Sequence, residues 1–457
     1  MKIMKNILTI LAPVSAVVVM TACSSDSSDA GGTNSAIGEL DPSFNGVGYV
    51  TDDNVSGGSG DDEGRSLVID ADGKIVVAGS SFSDTLLYDD MVIWRYNCDG
   101  TPDTTFNGTG YVTDDSSAGN NGGNDNGNSV VLDADGKIVV AGYSATLDMI
   151  IWRYNSDGDI DTTFNGIGYV THHDAAGGGT YDYGKAVTID ANGKILVTGS
   201  SRNSSGKYDM VIWRYNSSGS LDSTFNGVGF AVHSGAAGGS GHDYGNAITT
   251  DADSKVLVAG ASENINNLAM TLWRYDSNGS LDSTFNGVGY VTDNNASGGS
   301  SNDGGYAIAI DADGKIIVAG YSTNLINTYD MVIWRYDSNG SLDTTFNGVG
   351  YVMHNGAAGG AGFDIGYSVT IDANGKIVVA GTSQNSNDYD LAIWRYRSDG
   401  TLDTTFNGVG YVTDHNASGG DRDDMGYAVV IDAKGNLVTT GISDNAVNED
   451  MAIWRYK

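Results

Sequence analysis

Three prolines, two cysteines and six histidines are all that a chain of 457 residues holds of these types, and its 23 basic side chains stand against 57 acidic ones. Each scarcity excludes something. A formal net charge of -34 repels nucleic acid and anionic lipid headgroups, which leaves cations, neutral sugars or basic proteins as the partners such a surface would accept. Two cysteines cannot staple a disulfide scaffold. The apolar stretch from Ile7 to Ala22 falls short of the about 20 residues that a membrane-spanning helix needs. Glycine, in contrast, occupies 66 positions, with aromatic and β-branched residues spread evenly between them. That is the composition of a folded β-rich chain and not of a disordered acidic one.

Lys2 and Lys5 precede the apolar stretch, which is interrupted by Pro13 and Ser15, so residues 1–22 read as a signal peptide. Its end, Met20-Thr21-Ala22-Cys23, resembles a bacterial lipobox with Met20 in place of the more usual leucine. The resemblance implies a lipid on Cys23 and an anchored protein of the cell envelope, and Ser24 behind it resembles outer-membrane sorting. Cys98 would then be the lone thiol, in a turn where other copies carry serine. Residues 23–38 form the lipidated cysteine and a flexible Ser/Gly/Asp tether, and residues 39–457 form one domain, expected to be a monomer touching the membrane through the lipid alone.

Internal repetition is the strongest signal. Trp-Arg-Tyr begins at Trp94, Trp152, Trp213, Trp273, Trp334, Trp394 and Trp454, in steps of 58 to 61 residues. Phe-Asn-Gly begins at Phe44, Phe106, Phe164, Phe225, Phe285, Phe346 and Phe406. Each unit carries four strand signals parted by turn chemistry, in the fifth unit at 306–310, 315–320, 331–336 and 348–353. Four antiparallel strands repeated seven times predict an all-β, seven-bladed β-propeller of four-stranded blades. One Phe-Asn-Gly copy precedes every other strand, and the last unit stops after Trp454-Arg455-Tyr456-Lys457. Residues 46–51 are therefore expected to complete the last blade and close the ring.

Asp-Ala-Asp-Gly-Lys-Ile-Val-Val-Ala-Gly at 70–79, Trp-Arg-Tyr, and Leu-Asp-Thr-Thr-Phe-Asn-Gly-Val-Gly-Tyr-Val-Thr at 402–413 resemble the delta-60 repeat family. That resemblance implies β-propellers in bacterial extracytoplasmic proteins and brings no catalytic motif with it.

Strand alternation assigns the seven tryptophans to the core between blades. The arginine beside each needs an acceptor, and the hairpin aspartates Asp70, Asp133, Asp190, Asp251, Asp311, Asp372 and Asp432 are expected to supply it. The long Gly/Asp/Asn loops between blades, such as 51–64 and 413–426, form the expected ligand face. All six histidines fall there: His172, His173, His233, His242, His354 and His415. Before each innermost strand stands Asp-x-Gly, with Asp62, Asp125, Asp182, Asp243, Asp303, Asp364 and Asp424. If these carboxylates converge on the channel mouth they need cations, and Ca²⁺ is the ion such a ring would take; if each bonds its own turn, none is needed. Three functions remain open. A cell-envelope binding scaffold would use the loops of one face for a glycan or protein partner; a hydrolase or lyase would use Asp and His with a divalent ion; a structural surface protein would do neither. No nucleophile order, P-loop or dinucleotide fingerprint can be assigned, so the binding scaffold leads.

Overall fold

Each repeat folds back on itself because its Asp-Ala-Asp-Gly turn is pre-paired. Asp70 Oδ1 accepts the backbone amides of Asp72 and Lys74, both at 2.9 Å, while Gly73 takes a φ of 79° that a side chain would resist. In the fourth repeat Ser254 holds that place at a φ of 59°, a conformation that costs an L-residue about 1–2 kcal/mol. The computed structural model describes residues 37–115, 123–144, 146–420 and 422–457. The leader, Cys23 and nearly all of the tether lie outside the described residues.

The described residues form 28 strands in seven antiparallel sheets of four, with no α-helix among them. In the fifth blade the order from the axis outward is Gly298–Ile310, Ile316–Asn324, Tyr329–Tyr336 and Tyr351–His354. Innermost strands neighbour one another around the ring, and Asp62–Ile69 meets both Asn126–Leu132 and Asp424–Ile431. The molecule is a seven-bladed β-propeller. Closure occurs as expected: Tyr49–Asp52 pairs with Glu449–Tyr456 of the last blade, Tyr49 opposite Trp454 and Thr51 opposite Ala452. No sheet edge is left at the seam.

Second and third strands read as unbroken apolar runs because neighbouring blades cover both their faces. Each core cluster accordingly spans two blades; Leu257 and Leu272 of one pack with Val318 and Trp334 of the next. At the seam Val438 and Ile453 meet Val77 and Trp94. All seven tryptophans are at most 1% exposed, the core role expected of them. Truncating any one to alanine would cost about 3–5 kcal/mol.

The arginine of each Trp-Arg-Tyr finds a different carboxylate from the one expected. Hairpin aspartates use their oxygens on their own turns, and Arg95 Nε instead donates to Asp103, eight residues on, at 2.7 Å. Lys74 Nζ and Thr105 Oγ1 bond the same carboxylate at 2.6 Å each, and the guanidinium lies over Phe106 at 4.6 Å. Arg95 Nη1 then donates to the carbonyl of Ser156 in the next blade, so one charged side chain ties two blades together. The last blade closes the same way across the seam: Arg455 binds Asp41 at 2.8 Å, and Lys457 at 3.3 Å stands in for the hairpin lysine that Asn436 replaces.

Candidate functional site

Directly after Asp-x-Gly, one residue of each innermost strand leaves the ladder. Gly64 pairs with Gly79 and Ser66 with Ala78, so Arg65 is an extra, bulged residue with no partner opposite. The same bulge recurs at Asn128, Lys185, Asn246, Tyr306, Tyr367 and Tyr427. A bulge re-aims its side chain, here toward the propeller axis. Glycines make room for it: a Cβ on Gly79 would run into the Glu63 carbonyl oxygen, and one on Gly64 into the Thr440 hydroxyl. The seven bulged residues together line a cavity of about 250 Å³ on the axis.

The ring is not symmetric. Going round from the first blade, it reads Arg, Asn, Lys, Asn, Tyr, Tyr, Tyr. The tyrosine arc is continuous, with ring centroids 5.4 Å apart for Tyr306 and Tyr367 and 5.5 Å for Tyr367 and Tyr427. Asn128 and Asn246 donate their amides to Gly184 and Gly305 carbonyls of the next blade, at 2.8 and 2.9 Å. Arg65 pairs with Glu63 at 2.5 Å. Beside that pair, burial and the nearby carboxylates of Asp61 and Glu63 push Glu449 up to about 7. Aromatic groups also flank the axis above the ring: Tyr143 against Tyr183 at 5.1 Å, His242 stacked on Tyr244 at 5.8 Å, and Tyr321 against Tyr329 at 4.5 Å.

The Asp-x-Gly carboxylates are not gathered on the axis. Each is almost wholly buried, one to a blade, and six of the seven are seen to receive the backbone amide of the residue eight positions earlier in their own incoming loop. Asp62 accepts from Asn54 at 3.0 Å, Asp182 from Asp174 at 2.9 Å, Asp243 from Gly235 at 3.0 Å, Asp364 from Gly356 at 2.9 Å and Asp424 from Asn416 at 2.9 Å. Asp303 accepts from Asn295 and from Thr323, whose amide is 3.0 Å away. Asp125 is buried like the others, but part of its loop lies outside the described residues. Burial pushes Asp62 up to about 7 and Asp243, Asp364 and Asp424 to about 6, against the pull of a serine hydroxyl and the loop amide at each. Among the described residues no three of His, Cys, Asp and Glu come together where they could hold a metal ion. The melting temperature is therefore expected to be the same in excess EDTA and in added Ca²⁺. A rise with Ca²⁺ that Asp243→Asn and Asp303→Asn abolish would make these aspartates ligands after all.

The histidines divide into two groups. His172, His233 and His354 end outermost strands and plug the seam between blades, their rings 6.0, 6.1 and 5.9 Å from Trp213, Trp273 and Trp394. Asp52, Asp114 and Asp414 fill the same place elsewhere and accept the hydroxyls of Tyr96, Tyr154 and Tyr456 at 2.6, 3.0 and 3.0 Å. Burial lowers His172 and His354 to about 4, which keeps them neutral. His173 and His415 are exposed one position further on, and His242 bonds the Tyr208 amide at 3.2 Å within the aromatic group above the ring. Cys98 is half-buried in its turn, where its carbonyl accepts Arg455 Nη1 of the last blade; the other cysteine, Cys23, lies outside the described residues.

Alternation of in and out along a strand hides the bulged position, since the shift of register has no signature in a single repeat. Comparison of repeats could have found it. The residue after Asp-x-Gly varies from blade to blade while the motif itself does not.

Six stretches, 71–106, 134–164, 191–225, 252–285, 312–346 and 373–406, match the family described as a domain of unknown function, the DUF5122 β-propeller. The matches support a β-propeller repeat family. No curated protein matches the chain. Solved structures with a similar fold include a chain of the mitotic checkpoint complex, at 13% identity and a TM-score of 0.49, with 96% of this chain and 99% of that one covered. Polysaccharide lyase Uly1 is similar at 12% and 0.47, over 86% and 90%. A protein of unknown function from Dyadobacter fermentans is similar at 11% and 0.44, over 90% and 97%.

Proposed function

We propose that this chain is a ligand-binding propeller of the bacterial cell envelope, held by a lipid on Cys23, in keeping with its resemblance to delta-60 repeats. Its ligand enters the axial ring and not the loop tips. The observation that carries this reading is the asymmetry of the seven bulged residues on an otherwise repeating scaffold. A purely structural ring has no use for unlike cationic, amide and aromatic groups converging on one cavity. A hydrolase or lyase acting through a bound ion would need His and Asp gathered as ligands, and the described residues offer no such group. At about 250 Å³ the cavity lies just below the about 300–1,000 Å³ of small-molecule sites, so it suits one sugar unit, a small metabolite or a single protruding side chain.

The test is a panel of glycans and small molecules. Tyr306→Ala and Tyr367→Ala should abolish binding of any member that binds, while Ile265→Ser and Leu325→Ser, at loop tips 90% and 85% exposed, should leave it unchanged. The opposite pattern would put the ligand on the loops and end this reading. The anchor is tested separately. Envelope-purified protein should carry the mass of a lipid that Cys23→Ser removes, and the bare polypeptide mass would end the anchor reading.

A further inference from the structure

In a chain with a net charge of -34, two of its 23 basic residues stand on the axis. Lys185 opens onto the cavity, and its ammonium makes no hydrogen bond or ion pair among the described residues. Loss of bulk water holds it below the ordinary lysine range, and the charge of Arg65 adds to this. An arriving anion would relieve both effects. Arg65, two blades away, spends one Nη on Glu63, while its Nε is buried without a partner. Glu63 and Asp89 act on Arg65, with Asp61 and Glu449 in the same acidic group, whereas among the described residues no carboxylate lines the cavity and none offsets the charge of Lys185.

The opposite wall is aromatic. Tyr306, Tyr367 and Tyr427 form one arc, and the hydroxyls of Tyr306 and Tyr367 have no hydrogen-bond partner among the described residues. Such a wall takes the flat face of a ring and offers hydroxyls at its edge. Ammonium and guanidinium groups make their strongest bonds to a carboxylate. Resting on the channel reading above, we propose that the ligand is a small ring compound bearing a carboxylate, with the carboxylate between Lys185 and Arg65 and the ring against the three tyrosines. The acidic surface makes this the reverse of what overall charge suggests, because the groups lining a narrow channel set its local field more than the distant, screened surface does.

Calorimetric titration of the full chain with galacturonate and with benzoate tests it, with galactose and benzamide as their uncharged counterparts. At least one acid should bind about tenfold more tightly than its counterpart, a difference of about 1.4 kcal/mol. Lys185→Met should remove that preference and Lys185→Arg keep it; Lys185→Gln replaces the first variant if its melting temperature falls. Which acid binds distinguishes a sugar from an aromatic source. The proposal is overturned if acid and counterpart bind alike, if the preference survives Lys185→Met, or if none of the four binds. Charge-blind binding that Tyr367→Ala abolishes would end this proposal and leave the channel reading standing, whereas binding indifferent to both positions would end both.

Discussion

Asp343→Ala is expected to cost about 3–5 kcal/mol of stability, read from the shift of a urea transition, because it strips a buried cation of its partner. Arg335 is 7% exposed and bonds Asp343 at 2.9 Å, with Lys315 3.2 Å from the same carboxylate. Burial alone would raise Asp343, yet Thr345, Lys315 and Arg335 together hold it down to about 2. Arg335→Met is expected to cost less. It leaves Asp343 with Lys315 and with the Thr345 hydroxyl at 2.6 Å, so no charge is stranded. The double variant Arg335→Met/Asp343→Leu should recover part of the loss. Equal costs for the two single variants would mean that the pair is solvated and not buried.

Stability is also expected to fall as the pH rises from about 5 to about 8, opposite to the behaviour usual for paired carboxylates. Two sets of aspartates pull in opposite directions. Asp62, Asp243, Asp364 and Asp424 have folded-state values of about 6 to 7 against an ordinary 3.8. They hold their protons more tightly in the folded chain, so their contribution is whole below the ordinary value and is lost as the pH climbs through about 6 to 7. Asp103, Asp161, Asp222, Asp282, Asp343 and Asp403 are held down, and their contribution is lost only as the pH drops below the ordinary 3.8. The melting temperature should therefore peak near about pH 4 to 5. A group held one pH unit from its ordinary value contributes about 1.4 kcal/mol, so several such groups move the transition by several degrees. Asp62→Asn with Asp243→Asn, whose amides cannot ionise, should flatten the slope above pH 5. A melting temperature that rises between pH 5 and pH 8 would show these carboxylates to be stabilised as anions by their loop amides.

Blade number, strand count and closure were legible in the chain because Trp-Arg-Tyr and Phe-Asn-Gly mark every third and fourth strand, and because the copy at Phe44 has no blade of its own. Partners across a turn were not. Asp70 and Asp103 both stand near Arg95 in sequence, and spacing cannot tell that the first spends its Oδ1 on its own turn. The second is carried back to the arginine by the bridge between Tyr96 and Pro102. His172, His233 and His354 looked like loop residues because they follow Tyr-Val-Thr or its variants, yet the outermost strand runs one residue longer and takes them into the seam. The axial ring escaped notice because a bulge breaks the period of two on which the reading of faces depends.

The most direct measurement is hydrogen exchange, peptide by peptide, with and without the tightest-binding member of the panel. Binding on the axis predicts new protection around the bulges at 64–66, 184–186, 305–307 and 366–368, which lie on different blades and meet only on the axis. Protection confined to the loop tips at 84–87, 264–267, 324–327 and 445–448 would contradict it and move the binding surface to the propeller's rim.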